Sequence, residues 1–167
     1  MARSCAIRLG RARAAALSGP TRTQILIAPR IDDLGAALGK IYTDKKIALS
    51  LDVPRDLLAA CEQQDFDEMA GNLLENAFRW ARTKVEVHAH HEDRSIVLAF
   101  EDDGPGLQPN QVPKVLRPGE RIDESEPGFG FGLPITRELA ELYGGELAVD
   151  ASKLGGLRAT LRLPLAI

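Results

Sequence analysis

The chain has 167 residues and a net charge of −3, with 44% hydrophobic and 27% charged side chains. This composition is typical of a globular domain, and the length is enough for one hydrophobic core without a disulfide framework. No apolar run is long enough to span a bilayer, and the acidic balance disfavours a general nucleic-acid binder. The two cysteines, Cys5 and Cys61, lack metal-ligand spacing and favour a reducing compartment.

The charge is concentrated at one end of the chain. Residues 1–31 carry six arginines and no acidic residue, whereas residues 32–167 carry 15 basic and 24 acidic side chains. Residues 1–18 are rich in Ala, Arg and Leu and predict a helix that ends at Ser18-Gly19-Pro20. Such a basic start is typical of a transit peptide or of a helix that belongs to a longer protein, and composition alone leaves both interpretations open.

The rest of the chain predicts alternating strands and helices. Period-two alternation, or a short apolar run, predicts strands over residues 23–28, 46–53, 57–61, 83–91, 94–102, 145–151 and 157–163. Three- and four-residue apolar spacing predicts helices over residues 30–43, 64–82 and 132–143. Residues 103–130, rich in glycine and proline, predict one long loop. This order predicts an α+β fold of two layers, in which a mixed, mainly antiparallel sheet has its helices on one face.

The first motif with chemical potential is a pair of asparagines on the predicted helix 64–82. Asn72 and Asn76 lie four residues apart, so both amides lie on one face of the helix. Amide oxygens can bind a hard cation and the phosphates that accompany it. Taken alone, the pair is more simply interpreted as two solvated asparagines.

Two glycine-containing motifs follow. Glu101-Asp102-Asp103-Gly104-Pro105-Gly106 ends a predicted strand, where a carboxylate can accept a hydrogen bond from a ligand and glycines permit close approach. An acidic turn without a ligand is an equally good interpretation. Gly128-Phe129-Gly130-Phe131-Gly132-Leu133-Pro134 begins a predicted helix, where several N–H groups and the helix dipole favour phosphate. It matches neither the Walker nor the dinucleotide fingerprint.

In this order and spacing, the three motifs resemble the ATP-binding domain of two-component sensor histidine kinases, which has the GHKL or Bergerat fold. Residues 72–76 resemble the N box of that family, residues 102–106 its G1 box and residues 128–133 its G2 box. The glycine-rich segment 155–161 is similar to the closing strand of the fold. The resemblance covers residues 21–167, and the segment 118–123 (Pro-Gly-Glu-Arg-Ile-Asp) looks closest to the PhoQ-like branch.

The resemblance implies ATP and Mg²⁺ as ligands and a role for each matching residue. Asp102 would accept a hydrogen bond from the adenine amino group. Asn76 would bind Mg²⁺, with Asn72 beside it, and these two asparagines are the implied catalytic residues. The other implied nucleotide-binding residues are Arg79, Trp80, Gly104, Gly106, Arg117, Arg121, Gly128, Gly130, Gly132 and Leu133. Residues 107–127 would form a flexible ATP lid. Pro118 and Glu126 in this lid, and Phe129 in the G2 box, depart from the family pattern.

One position bears on the type of reaction. Related ATPases of this fold carry a glutamate four residues before the metal-binding asparagine, and this glutamate activates water. Here the position is Asn72, and an amide cannot act as a general base. The resemblance therefore implies transfer of a phosphoryl group to a histidine on a dimerisation domain rather than rapid hydrolysis. That histidine is not in the chain, so the chain alone is expected to bind Mg-ATP without phosphorylating itself.

The resemblance also implies a parent protein. Residues 1–20 are interpreted as the tail of a dimerisation helix and residues 21–167 as the catalytic domain. The implied parent is a homodimeric bacterial sensor kinase of the inner membrane, with this chain in its cytoplasmic portion. Its implied partners are the phosphoacceptor domain and a response regulator, with no contact between this fragment and nucleic acid or membrane. A stand-alone regulatory module of the anti-sigma-factor serine-kinase type and a degenerate domain without ATP binding are the alternatives.

The histidines receive simpler interpretations. The segment 91–95 (His-Glu-Asp-Arg-Ser) resembles a phosphoacceptor motif, but it lies in a predicted hairpin after the N box, where that motif does not occur. His88 and His90 share one face of the predicted strand 83–91 and are candidate metal ligands. The sequence suggests no third ligand nearby, which favours solvated strand histidines.

Overall fold

The computed structural model describes residues 23–116 and 132–166. Its strands are β1 (Ile25–Leu26), β2 (Ala48–Asp52), β3 (Leu58–Ala59), β4 (Lys84–Glu92), β5 (Ser95–Asp102), β6 (Glu146–Ala151) and β7 (Leu157–Pro164). Its α-helices are α1 (Ile27–Ile41), α2 (Gln63–Trp80), α3 (Val112–Val115) and α4 (Gly132–Leu142), and short 3₁₀ turns cover Thr43–Lys45 and Pro109–Gln111.

Five strands form the main sheet in the order β2-β4-β5-β7-β6. The β2–β4 pair is parallel and the other three pairs are antiparallel. Strands β1 and β3 form a separate antiparallel pair, which is joined to the end of β7 through Ala59 and Leu165. The prediction of a mixed, mainly antiparallel sheet is therefore confirmed.

Alternation along the strands divides the sheet into two chemically different faces. On β4, Val85 and Val87 are fully buried, whereas the alternating residues Glu86 and His88 are only partly buried. The inner face is formed by the buried strand residues and packs against the helices. The core between them includes Phe66, Met69, Leu73, Leu74 and Phe78 of α2 and Ile96, Leu98, Phe100 and Leu161 of the sheet. The outer face carries mostly polar side chains. The two-layer prediction with helices on one face is thus confirmed.

Helix α2 is the central helix of the inner layer. Its buried residues recur at three- and four-residue steps, as in Phe66, Met69, Leu73 and Ala77, so one side of the helix faces the core. A two-pronged ion pair joins it to α1, since Arg30 Nε and Nη2 lie 2.8 Å from Asp67 Oδ1 and Oδ2. This packing fixes the direction in which the two asparagines of α2 project.

Two predicted boundaries are wrong. Residues 23–28 were predicted as one strand, but only Ile25–Leu26 is extended and α1 already begins at Ile27, because Ile27 and Ala28 are fully buried as part of the helix's core face. The predicted loop 103–130 contains helical structure at 109–115, where Val115 is fully buried. In both places tertiary burial outweighs the local turn and strand signals.

The carboxylate of Asp103 joins the end of α2 to the start of β4. It accepts hydrogen bonds from the backbone N–H groups of Arg82, Thr83 and Lys84 and from the Thr83 hydroxyl, at 2.6 to 3.1 Å. Burial alone would raise the pKa of Asp103, but these donors outweigh it and hold the pKa well below its usual range. The ionised carboxylate is therefore part of the folded structure.

Replacement of this carboxylate tests that contribution. We expect Asp103→Ala to lower the free energy of unfolding by about 1–3 kcal/mol at pH 7, because several N–H donors lose their acceptor. The folded-state pKa lies below the unfolded value of about 3.9, so the stabilisation is present above about pH 4 and is lost as the pH falls through the folded-state pKa. Urea denaturation at a series of pH values measures the difference. The exposed turn residue Asp56, changed to Ala, is the control, and equal effects of the two substitutions would contradict the assignment.

Candidate functional site

Strand β5 ends at Asp102, whose carboxylate is held by backbone hydrogen bonds. Asp102 Oδ1 accepts from the N–H of Gly104 at 2.8 Å and from the N–H of Leu157 at 3.3 Å. The side chain lies on the helix-covered face of the sheet and the residue is only 2% exposed. Burial raises the pKa of Asp102, and the two backbone donors oppose this rise only in part. The site thus contains a buried, oriented carboxylate with little water around it.

Three chain segments meet at this carboxylate, and they meet too closely to admit side chains. A Cβ on Gly104 would lie 2.2 Å from the carbonyl oxygen of Trp80, at the end of α2. A Cβ on Gly156 would lie 2.1 Å from Asp102 Oδ1, and the N–H of Gly156 donates to the Asp102 carbonyl at 3.1 Å. Gly106 has a φ of +70°, which also favours glycine. The packing of the site itself therefore requires glycine at these positions, independently of any ligand.

Asn76 lies on α2 one turn before Trp80, and its side chain is buried. The residue is 8% exposed, and its Oδ1 has no hydrogen-bond partner among the described residues. Buried acceptors are usually paired, because an unpaired one costs free energy. An oxygen of this kind suits a hard cation such as Mg²⁺, which is bound by oxygen ligands. The residue present at this position therefore fits the implied metal.

Asn72 lies one turn earlier and contacts the start of α4. Its Nδ2 donates to the Thr136 hydroxyl at 3.4 Å, and Thr136 is fully buried. A Cβ on Gly132 would lie 3.6 Å from the Cβ of Asn72, so the first residue of α4 is its direct neighbour. The structure thus brings the N-terminal end of α4, which favours anions, beside the asparagine face of α2.

The end of α2 also carries positive charge. Lys45 Nζ donates to the carbonyl oxygens of Phe78 at 2.9 Å and Arg79 at 2.6 Å, an arrangement that matches the negative end of a helix dipole. The Arg79 side chain is exposed and lies 3.7 Å from Glu75, four residues earlier on the helix. Trp80 is partly buried and packs against the core.

The structure brings together most of the predicted site residues. Those it places around one site are Asn72, Asn76, Trp80, Asp102, Gly104, Gly106 and Gly132. Leu133 adjoins them, but its side chain is buried in the core. Arg79 follows Asn76 by one turn of α2, but its exposed side chain lies beside Glu75. Four predicted residues, Arg117, Arg121, Gly128 and Gly130, lie outside the described residues, as do Pro118, Glu126, Phe129 and the predicted helix 1–18.

Sequence reasoning missed two residues that shape the site. Gly156 fits under Asp102, and Thr136 contacts Asn72, yet neither lies in a motif that was assigned a role. The Gly155-Gly156 pair was a visible signal for a close approach. The residue that Gly156 contacts, Asp102, lies 54 residues earlier in the sequence, so the contact follows only from the pairing of β5 with β7.

With this geometry established, comparison with known proteins identifies the family. Residues 61–167 match the family described as "Histidine kinase-, DNA gyrase B-, and HSP90-like ATPase". The chain belongs to this family. The sequence-based prediction of a sensor-histidine-kinase ATP-binding domain is thereby confirmed, since relatives of the PhoQ type are among the most similar curated proteins.

A curated relative supports the family assignment, and two solved structures share the fold. The sensor protein PhoQ of Escherichia coli strain K12 is 38% identical over 132 residues, which are 79% of this chain and 27% of PhoQ. The chain therefore spans about a quarter of the length of the curated relatives it matches. The mycobacterial sensor histidine kinase MprB shares the fold with a TM-score of 0.76 at 24% identity, covering 87% of this chain and 98% of that one. The ATP-binding domain of PrrB from Mycobacterium tuberculosis gives a TM-score of 0.72 at 24% identity, with the same coverage.

Within residues 23–116 and 132–166, none of the helices combines the length and the apolar character needed to cross a bilayer.

The glycine packing around Asp102 can be tested by adding a methyl group. We expect Gly156→Ala to lower the free energy of unfolding by about 1–3 kcal/mol, because the new Cβ overlaps Asp102 and must displace it. Gly39→Ala is the matched control: it lies in α1 with no atom within 4 Å of its Cβ, and we expect it to stabilise the helix by about 0.5–1 kcal/mol. Urea denaturation of the two variants measures both effects, and a Gly156→Ala variant as stable as the native chain would refute this packing.

Proposed function

We propose that the chain binds Mg-ATP and donates its γ-phosphoryl group to a histidine on a dimerisation domain that lies outside these residues. The observation that carries the proposal is that two buried groups suited to a ligand occur in one site: the Asp102 carboxylate and the Asn76 amide oxygen. Membership of the histidine-kinase-like ATPase family supports it.

Asp102 is the residue proposed to select adenine. Its two backbone donors both act on Oδ1, so Oδ2 is the oxygen assigned to the adenine amino group. Buried hydrogen bonds to a charged acceptor are stronger than exposed ones. A nucleobase with a carbonyl in place of the amino group would place its oxygen against the carboxylate, and two acceptors form no hydrogen bond. A rigid carboxylate in this setting favours adenine over guanine.

Asn76 is the residue proposed to hold the metal, through Oδ1, with Asn72 beside it. Bound Mg²⁺ would supply charge neutralisation for the phosphate oxygens. The start of α4 at Gly132 supplies backbone N–H groups and the positive end of a helix dipole, and Arg79 supplies a nearby guanidinium. For Arg117, Arg121, Gly128 and Gly130 the proposal retains the phosphate-binding roles implied by the family resemblance.

The absence of a base at residue 72 favours transfer over hydrolysis. An amide cannot remove a proton from water, so Asn72 does not activate it. An imidazole nitrogen needs no such activation when it is neutral. In the proposed reaction this nitrogen bonds to the γ-phosphorus, the bond to the bridging oxygen breaks, and ADP leaves. The chain's contribution is orientation and electrostatic stabilisation.

The proposed context is a two-component sensor kinase. The relatives named PhoQ are described as sensor proteins, which favours this role over the stand-alone serine-kinase module. We infer a homodimeric parent, a response regulator that receives the phosphoryl group, and a position of this domain on the cytoplasmic side of a bacterial inner membrane.

The metal assignment is tested by removing the amide of Asn76. We expect Asn76→Ala to lose the Mg²⁺-dependent part of nucleotide affinity, at least about tenfold or 1.4 kcal/mol, because the amide oxygen proposed to bind the metal is removed. Titration of a fluorescent ATP analogue with and without Mg²⁺ measures it. Gln63→Ala, an exposed amide at the start of the same helix, is the control and keeps the affinity. Unchanged Mg²⁺-dependent binding by Asn76→Ala would rule out this role.

The adenine assignment has its own test. We expect Asp102→Asn to reduce the preference for ATP over GTP by about 10- to 100-fold, because a charged acceptor contributes about 1.5–3 kcal/mol and the amide can donate as well as accept. Competition binding with the two nucleotides measures the preference. The adjacent Asp103→Asn is the control: it loses stability but keeps the preference. If both variants discriminate as the native chain does, Asp102 is not the adenine acceptor.

A further inference from the structure

A histidine and two glutamates meet on the outer face of the sheet. Glu86 and His88 are two residues apart on β4, so both side chains project to the same face. Glu101 is the cross-strand partner of Glu86 on β5. Asp102, the next residue, projects to the opposite, helix-covered face. The three side chains therefore form a cluster separated from the nucleotide site by the sheet itself.

The distances in this cluster match those within a metal site. His88 Nε2 lies 3.1 Å from Glu86 Oε2 and 3.4 Å from Glu101 Oε2, and one ligand atom from each residue lies within 4.8 Å of the others. Zinc binds imidazole nitrogen and carboxylate oxygen at about 2.0–2.2 Å in tetrahedral geometry, which places neighbouring ligand atoms about 3.3–3.6 Å apart. Small side-chain movements would bring all three atoms onto one ion.

Glu101 gives the cluster a buried and oriented carboxylate. The residue is 3% exposed although it belongs to the outer face. The Ser152 hydroxyl donates to its Oε1 at 3.0 Å, which leaves Oε2 directed at the ring of His88. A buried carboxylate is costly unless a cation compensates it. A metal ion beside His88 would provide that compensation.

Two lysines lie beside Glu86, and the cross-strand neighbours of the cluster add Arg158 opposite Glu101 and Asp52 opposite His88. Lys84 Nζ lies 3.3 Å from Glu86 Oε1, and Lys153 Nζ lies 3.7 Å from Glu86 Oε2. Both side chains are about half exposed or more. Lys153 can therefore move away from Glu86 Oε2, while Lys84 stays beside Glu86 Oε1.

We propose that Glu86, His88 and Glu101 form a binding site for a divalent transition-metal ion, zinc by ligand preference, with the fourth position open to water. Zinc binds both imidazole nitrogen and carboxylate oxygen, whereas Mg²⁺ requires a near-octahedral oxygen shell. From the sequence, His88 and His90 were candidate metal ligands, but the lack of a third ligand favoured solvated histidines. The structure replaces His90, whose cross-strand partner is Val97, by carboxylates from two strands.

Zinc titration of the full chain by calorimetry tests the site. It is carried out without nucleotide and in a Cys5→Ser background, because phosphates and free thiols also bind zinc. Cys61 can stay, since burial raises the pKa of its thiol to about 12 and keeps it protonated. We expect one equivalent of Zn²⁺ to bind, His88→Gln to weaken binding at least tenfold, and the matched His90→Gln to leave it unchanged.

Two further measurements keep the test decisive. Glu101→Gln preserves an acceptor for Ser152 and is expected to weaken zinc binding as His88→Gln does; should it fail to fold, the partly exposed His88 decides the case alone. Bound Co²⁺ should show the visible absorption of a tetrahedral site, and this absorption should disappear in His88→Gln. Absence of zinc binding by the native chain, or equal binding by His88→Gln and the native chain, would overturn the proposal. Asn76→Ala should keep zinc binding, which separates this site from the nucleotide site.

Discussion

The structure of the site depends on the hydrogen bonds that hold the buried carboxylate of Asp102. The N–H groups of Gly104 and Leu157 both donate to it, and Gly156 donates to the carbonyl of the same residue. These contacts join the end of β5 to the start of β7, and Gly104 in turn fits against the carbonyl of Trp80 at the end of α2. Two strands and a helix are thereby held in one arrangement. At Gly104 and Gly156 this arrangement leaves no space for a side chain larger than the hydrogen atom of glycine.

This arrangement explains how the fold prepares a site for a ligand. Because α2 ends against Gly104, Asn76 is held one turn from the Asp102 segment, with its amide oxygen buried and without a partner among the described residues. Burial also raises the pKa of Asp102. Both groups are less stable than they would be in water, and a ligand that donates to one and a cation that binds the other would recover that free energy.

Local sequence patterns predicted most of the elements, and non-local contacts determined the rest. The helix 64–82 and the hairpin of β4 and β5 follow from apolar spacing, and Asn76 and Asp102 follow from motifs. The strand predicted over residues 23–28 is shorter than expected, because packing places Ile27 and Ala28 on a helix and leaves only Ile25–Leu26 extended. Thr136, Gly156 and the Glu86–Glu101 pair were missed because strand register and helix packing bring them to their neighbours.

The central claim is that Asp102 and Asn76 form one Mg-ATP site. Its most direct test is ¹H–¹⁵N correlation NMR during titration with a non-hydrolysable ATP analogue and Mg²⁺. The backbone signals of Gly104, Gly156 and Leu157 and the side-chain amide signals of Asn76 should shift together and saturate at one equivalent. The Asn76 signals should shift less when Mg²⁺ is left out. Saturable binding that shifts other signals while these four stay in place would contradict the account.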